Sequence, residues 1–253
     1  MVLQNSMKPI IIHIPHTSPR IPYYDGFVMD NQTIQDEINH LTDWFTDELF
    51  DLPYPIIVTP FSRVFCDVER FEDDSQEIMA RKGMGMCYTH LDNGELMRDV
   101  GPDLRERIRT DYYLPHYRAL EQLTSELLYK NGHVTIVDCH SFSDVPFNRD
   151  LNKDTPRPDF CLGVDEYHTS EDLYLPIQKL LINLGYTVHI NNPYSGTMIP
   201  MKYYQKNKNV KGLMIEVNRK LYMTNSNGVV SKTQSFESIR ELIKNIFQVL
   251  EDS

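Results

Sequence analysis

A chain of 253 residues, 41 % apolar and 24 % charged, has enough apolar surface for one large core and is expected to form a single domain over residues 1–253. Its formal net charge of -11 argues against general nucleic-acid binding, which needs clustered Lys and Arg, and against docking on an anionic membrane. Neither point excludes a small anionic substrate, because a few arginines can set the local field in a cleft.

In chain order, the first predicted element is a buried strand over residues 10–14, a β-branched run that ends at Pro15. Ile34, Ile38, Leu41, Phe45 and Leu49 recur at helical spacing and predict a helix over residues 33–50. A second strand is expected over residues 56–59, followed by a loop-rich stretch containing Gly83, Gly85 and Gly94. Pro102 can open a long helix that runs to Lys130 and stops at Asn131-Gly132, with Pro115 kinking or dividing it. Residues 133–139 (HVTIVDC) read as the clearest buried strand, and residues 160–164 as another. Residues 170–184 read as a helix with a serine cap and Gly185 as its stop. Strands over 187–190 and 213–217 and a closing amphipathic helix over 235–250 complete the pattern.

This alternation predicts an α/β fold, a three-layer sandwich with a mixed, largely parallel central sheet. Ligands of such sheets bind where loops leave the carboxyl ends of strands. Three strand ends carry titratable groups there: His13-Ile14-Pro15-His16, Asp138-Cys139-His140-Ser141 and Glu216-Val217-Asn218-Arg219. One histidine at such a place would be an ordinary core histidine. Two histidines and a glutamate at equivalent places fit a catalytic zinc site, which takes two His, a carboxylate and a water. His16 and His140 supply the nitrogens; Asp43 or Asp47, on the helix after the first strand, offers the carboxylate; His13 could support them from behind. No HExxH, GxSxG, P-loop or dinucleotide glycine motif occurs. Cys66, Cys87, Cys139 and Cys161 form no CxxC pair and read as reduced, buried thiols. A nucleophilic Cys139 is the less favoured reading of Cys139-His140. The opening residues lack a basic stretch followed by a long apolar run, so a cytoplasmic location is expected.

Taken in order, IPHTS, TDWFTDEL, SRVFCDVER, DCHSF, PDFCLG, NNPYSG and IEVNRKLY resemble the N-formylglutamate amidohydrolase family, from Ile12 to Tyr222. The resemblance implies a zinc-exopeptidase-like fold, with His140 and His16 as zinc ligands. The HxxE spacing of zinc carboxypeptidases is not met, since position 19 is Pro19. Asp43, at the family's helix aspartate, then becomes the expected third ligand. It implies Glu216 as general base, Arg63 or Arg70 beside the oxyanion, and Arg219 on the substrate carboxylates, with Asn192 and Tyr194 fixing the substrate backbone. Two positions depart from the family: Ser195-Gly196, where glycine pairs are frequent, and Glu69, where Asn often precedes the arginine. The expected partner is a small N-acyl amino acid and the expected cofactor Zn²⁺. The reaction implied is hydrolysis of N-formyl-L-glutamate to formate and L-glutamate. Deacylation of another N-acyl amino acid, a metallo-exopeptidase activity and non-catalytic metal binding are the alternatives.

Overall fold

The β-branched runs of the sequence become the strands of one central sheet, and the glycine- and proline-rich stretches between them become loops. The computed structural model describes residues 9–226 and 228–251. It begins with β1 (Ile10–Ile14), α1 (Asn31–Leu41), α2 (Thr46–Leu49) and β2 (Ile56–Val58). After a long loop come α3 (Pro102–Ile108), α4 (Leu114–Asn131), β3 (Val134–Phe142), β4 (Phe160–Gly163), α5 (Glu171–Asn183), β5 (Val188–Ile190) and β6 (Val210–Asn218). A two-stranded hairpin, β7 (Met223–Ser226) and β8 (Val229–Lys232), precedes α6 (Phe236–Glu251).

The sheet runs β2-β1-β3-β6-β4-β5, with β4 antiparallel to β6 and every other pairing parallel. Side chains alternate across it with period two. One face presents Ile12, Ile14, Val137, Cys139, Leu213, Ile215 and Val217, packed with Leu173 and Ile177 of α5 and Ile239, Ile243 and Phe247 of α6. The other presents Ile11, Val134, Ile136 and Val210 beneath Leu120 and Leu127 of α4. On that second face the strands turn polar toward their carboxyl ends, so the expected α/β layering is present and places the chemistry on one side.

Three local expectations change, and one, the division of the Pro102 helix near Pro115, is met. The helix expected over 33–50 breaks between Leu41 and Thr46, where the Asp43 N–H leaves the helix to reach the His16 carbonyl at 2.9 Å and Phe45 adopts φ 65°. The long helix beginning at Pro102 is interrupted at Arg109–Tyr113 by a π-helical turn. Pro115 has no N–H, and its ring would strike the carbonyl four residues back, so the widened turn takes up the defect. Ser170 occupies the N-cap of α5 without a capping side-chain bond. Finally, β3 and β6 run past their apolar stretches, so His140 and Glu216 lie inside strands, paired directly across the ladder.

Two glycines bring the cavity wall onto this face. A Cβ at Gly163 would lie 2.2 Å from the Gly196 carbonyl oxygen, and one at Gly212 2.7 Å from the Thr197 and Ile199 side chains. The segment from Pro193 to Met201 therefore lies flat against β4 and β6.

Candidate active site

Period two and register assemble the site. His13 pairs with Asp138 across β1 and β3, and His140 with Glu216 across β3 and β6; Asp138 and His140, two apart, share a face. His16, in the turn after β1, completes the cluster. Its Nδ1 lies 3.3 Å from the Nδ1 of His140. Asp43 Oδ2 lies 3.2 Å from the His140 Nδ1 and 3.9 Å from the His16 Nδ1.

Four zinc bonds of 2.0–2.2 Å in a tetrahedron separate neighbouring donors by about 3.3 Å. The Nδ1, Nδ1, Oδ2 triangle of His16, His140 and Asp43 is close to that size, so these side chains fit a zinc ion. The imidazole Nε2 atoms point to carboxylates, as is usual for histidine ligands. His16 Nε2 is 2.9 Å from Asp67 Oδ1; His140 Nε2 stands 3.2 Å from Asp138 Oδ1 and 3.3 Å from Glu69 Oε2. Glu69 also reaches His16 Nε2 at 3.5 Å, so it closes a second possible donor set on the far side of both rings. Two donor sets therefore share the rings: Asp43 with the Nδ1 atoms and Glu69 with the Nε2 atoms, the His140 Nε2 having no hydrogen-bond partner. Asp47, the other carboxylate offered by the sequence, instead accepts from the Thr17 hydroxyl at 2.8 Å in an exposed position.

Charge follows geometry. Burial and the Arg63 guanidinium lower the His16 pKa, leaving it neutral. Burial also opposes a charge on His140, but Glu69 and Asp138 outweigh it and hold its pKa well above the usual range. Burial would raise Asp43, yet the His140 hydrogen bond and the Arg219 charge hold it below the carboxylate range. The buried carboxylates thus hold a positive charge on the His140 ring.

Glu216 differs from its neighbours. Its Oε2 is buried without a hydrogen-bond partner, and burial pushes its pKa up to about 8 against the pull of His140 and Arg219. A buried, unpaired carboxylate is rare unless it has a task. Glu216, His16, Asp43 and His140 all line one cavity of about 510 Å³, together with Arg63, Arg70, Tyr194 and Arg219.

The arginines divide in a way the sequence did not suggest. Arg219, expected to hold the substrate, lines the cavity. Its Nη2 donates to Asp43 Oδ1 at 2.8 Å, its Nη1 to the His40 carbonyl at 2.8 Å, and its Nε to the Ser141 hydroxyl at 3.2 Å, so it also orients Asp43. Arg63 donates to Asp67 at 3.0 Å and to the Tyr88 hydroxyl at 3.1 Å. Arg70 is the least committed: its nearest carboxylate oxygens are 3.6 Å (Asp67) and 3.9 Å (Glu77) away, and its buried Nε has no hydrogen-bond partner. Tyr194 reaches the cavity, with its hydroxyl 3.3 Å from Arg157 and 3.4 Å from Asp150. Asn192 does not line it; its Oδ1 accepts from Asn152 at 3.0 Å.

Sequence reading did not identify Asp67, Tyr88, Asp138 and His116 as parts of the site. Asp138 carried a usable signal, standing two residues before His140 in a strand. His13 links to Asp138 at 2.8 Å and to His116 of α4 at 2.9 Å, extending the network away from the cavity. All four cysteines are buried and unpaired, and burial raises the Cys139 thiol pKa well above its usual value, which makes it a poor nucleophile. Among the described residues no helix is long and apolar enough to cross a membrane.

The fold has solved counterparts. N-formylglutamate amidohydrolase from Ralstonia eutropha JMP134 superposes with a TM-score of 0.80 at 22 % identity, covering 98 % of this chain and 94 % of that one. A gene product of Agrobacterium tumefaciens superposes with a TM-score of 0.67 at 16 % identity, covering 97 % and 90 %. No protein of curated function matches the sequence. The sequence model of the N-formylglutamate amidohydrolases matches residues 8–223, the stretch that carries every residue of the cluster just described. The chain therefore belongs to the N-formylglutamate amidohydrolase family.

Proposed function

We propose that the protein hydrolyses the amide bond of an N-acyl amino acid, N-formyl-L-glutamate in the first instance, with zinc held by His16, Asp43 and His140. The observation that carries this reading is the donor triangle of those residues in one cavity with the unpaired carboxylate of Glu216. Bound there, zinc would polarise the amide carbonyl and acidify a water molecule.

The chain's own groups then divide the work. Glu216 accepts a proton from water and delivers it to the departing nitrogen. Its ionised form is favoured by any positive charge brought into the cavity, as Arg219 and Arg63 already act in part. Arg70 takes a substrate carboxylate, since its guanidinium retains donors to offer and a planar fork matches that group. Arg63, fixed by Asp67 and Tyr88, faces the developing oxyanion. Arg219 holds Asp43 so that Oδ2 stays between the imidazoles. From N-formyl-L-glutamate the products are formate and L-glutamate.

A purely structural metal site is the weaker reading, because a structural Glu216 would be paired rather than left without a partner in the cavity wall. The test is metal analysis of the purified protein together with turnover of N-formyl-L-glutamate. Stoichiometric zinc and formate release that stops on chelation support the proposal. A protein free of metal that is active, or loaded with zinc and inactive on every N-acyl amino acid, overturns it.

A further inference from the structure

The cavity is larger and more apolar than a formylated dicarboxylate requires. Cavities of roughly 300–1,000 Å³ suit drug-sized ligands, and this one has about 510 Å³. Its charged lining residues are mostly buried, Arg70 being the most exposed at 23 %. Several large apolar side chains of the same lining are well exposed: Ile78 and Leu151 at 65 % each, Met201 at 47 % and Phe71 at 43 %. They come from three separate stretches of the chain, yet all line the one cavity. Single exposed apolar residues are unremarkable, but several converging on one concave surface mark a binding groove. Met79 and Met84 continue the apolar wall inward, and methionine adapts to varied ligand shapes. Arg70, proposed above for the substrate carboxylate, lines the same cavity as this wall.

Resting on the amide-hydrolysis reading above, we propose that this exposed wall is a subsite for a hydrocarbon arm of the substrate. The preferred substrates are then N-acyl amino acids that carry, on the acyl or the amino-acid side, an apolar group longer than formyl and glutamyl provide. The carboxylate sits on Arg70, the scissile amide beside Glu216, and the arm runs out past Ile78 and Leu151. Each methylene taken from water onto this wall stabilises the complex by an amount worth about a three- to fourfold gain in affinity, until the wall is covered.

The experiment uses two series on the zinc-loaded protein. In one, L-glutamate carries formyl, butanoyl, hexanoyl or octanoyl; in the other, formyl is joined to glutamate, leucine, methionine or phenylalanine. Values of kcat/KM that rise along either series support the subsite and say which side of the amide it serves. Formyl-glutamate as the best substrate in both series, with every apolar member slower, overturns it. Binding of the same compounds to the Glu216→Gln variant, followed by calorimetry, separates the two readings. If nothing is hydrolysed but affinity climbs with apolar length, the subsite stands and the hydrolytic reading falls. Affinity that ignores length overturns the subsite. Ile78→Asn and Leu151→Asn, at exposed positions that a polar residue can occupy, should flatten the length dependence severalfold. An unchanged length dependence in both variants counts against the wall.

Discussion

The two faces of the central sheet are built from the same strands and do opposite things. On one face, Ile12 and Ile14 of β1, Val137 and Cys139 of β3, and Leu213, Ile215 and Val217 of β6 form an apolar layer, and α5 and α6 close over it. On the other, the apolar half under α4 gives way to His13, Asp138, His140 and Glu216, all at most 6 % exposed. Removing polar groups from water is unfavourable unless they are partnered. The polar half meets that demand with histidine–carboxylate pairs, leaving a short gap between Asp43 and two imidazoles, and Glu216 without a partner. One face thus maximises stability; the other spends part of it on a site.

The comparison breaks most plainly on the apolar face. Ile215→Ala should destabilise the protein by about 2–5 kcal/mol, the range for a buried aliphatic residue cut back in a packed core. Denaturant titration checks this. The remaining folded protein should still hold zinc normally, because Ile215 points away from the cavity. Zinc loss as severe as the stability loss would show the faces are not independent.

On the polar face the order reverses. Glu216→Gln should lower kcat by roughly 100-fold or more, the scale of general-base loss. Steady-state assay alongside metal analysis checks it. Folding should be unharmed, since the substitution removes a carboxylate that burial already disfavours. Loss of zinc would make Glu216 a ligand instead of the base. Near-normal turnover would assign the proton transfer to another group.

Arg219→Lys probes the next layer. If Arg219 serves the proposed metal site through Asp43, zinc affinity should fall by roughly 10- to 100-fold, as for other groups that orient a metal ligand. A lysine cannot hold Asp43, the His40 carbonyl and Ser141 together. Competition with a zinc chelator measures it, and a change confined to KM would restore Arg219 to the substrate.

How much of this was legible beforehand follows the same division. The apolar face reads directly from β-branched runs such as residues 134–137, and the α/β layering follows from their alternation with helices. His16, His140 and Glu216 stood out as polar residues next to such runs. The embedding of His140 and Glu216 in longer strands did not, because a buried polar residue looks like a loop to any pattern of hydrophobicity. The break at Asp43 was hidden for a different reason: its cause, the His16 carbonyl, is distant in sequence. Asp67, Tyr88 and Glu69 lie in aperiodic loops where spacing says nothing about direction. The apolar rim was invisible too, since Ile78 or Leu151 reads as core until exposure is known.

The smallest expected effect lies where the two regions of the second face meet, at His116 of α4. Its ring bonds to His13 at 2.9 Å and lies 3.3 Å from the Thr59 hydroxyl. Burial, and after it the neighbouring His13 and His16, push its pKa down to about 3, so it is neutral in the folded protein. An unfolded histidine titrates near 6.5. Between those values the unfolded chain binds the proton and the folded one does not, so acid favours unfolding. The contribution is intact above about 6.5 and is lost progressively as pH falls toward about 3. The buried aspartates Asp43, Asp67 and Asp138 have lowered pKa values and also lose stability in acid, but they do so in any variant that keeps them. The informative quantity is therefore the difference between wild type and His116→Asn, both treated with chelator, in Tm measured from pH 7 to pH 4. Asn cannot take up the proton, so the variant should fall less steeply, starting lower at pH 7 for the lost hydrogen bonds and closing the gap as pH drops. Parallel curves would mean His116 is already protonated in the folded state or reaches water before unfolding, and the apolar layer beneath α4 would then be open to solvent at its polar edge.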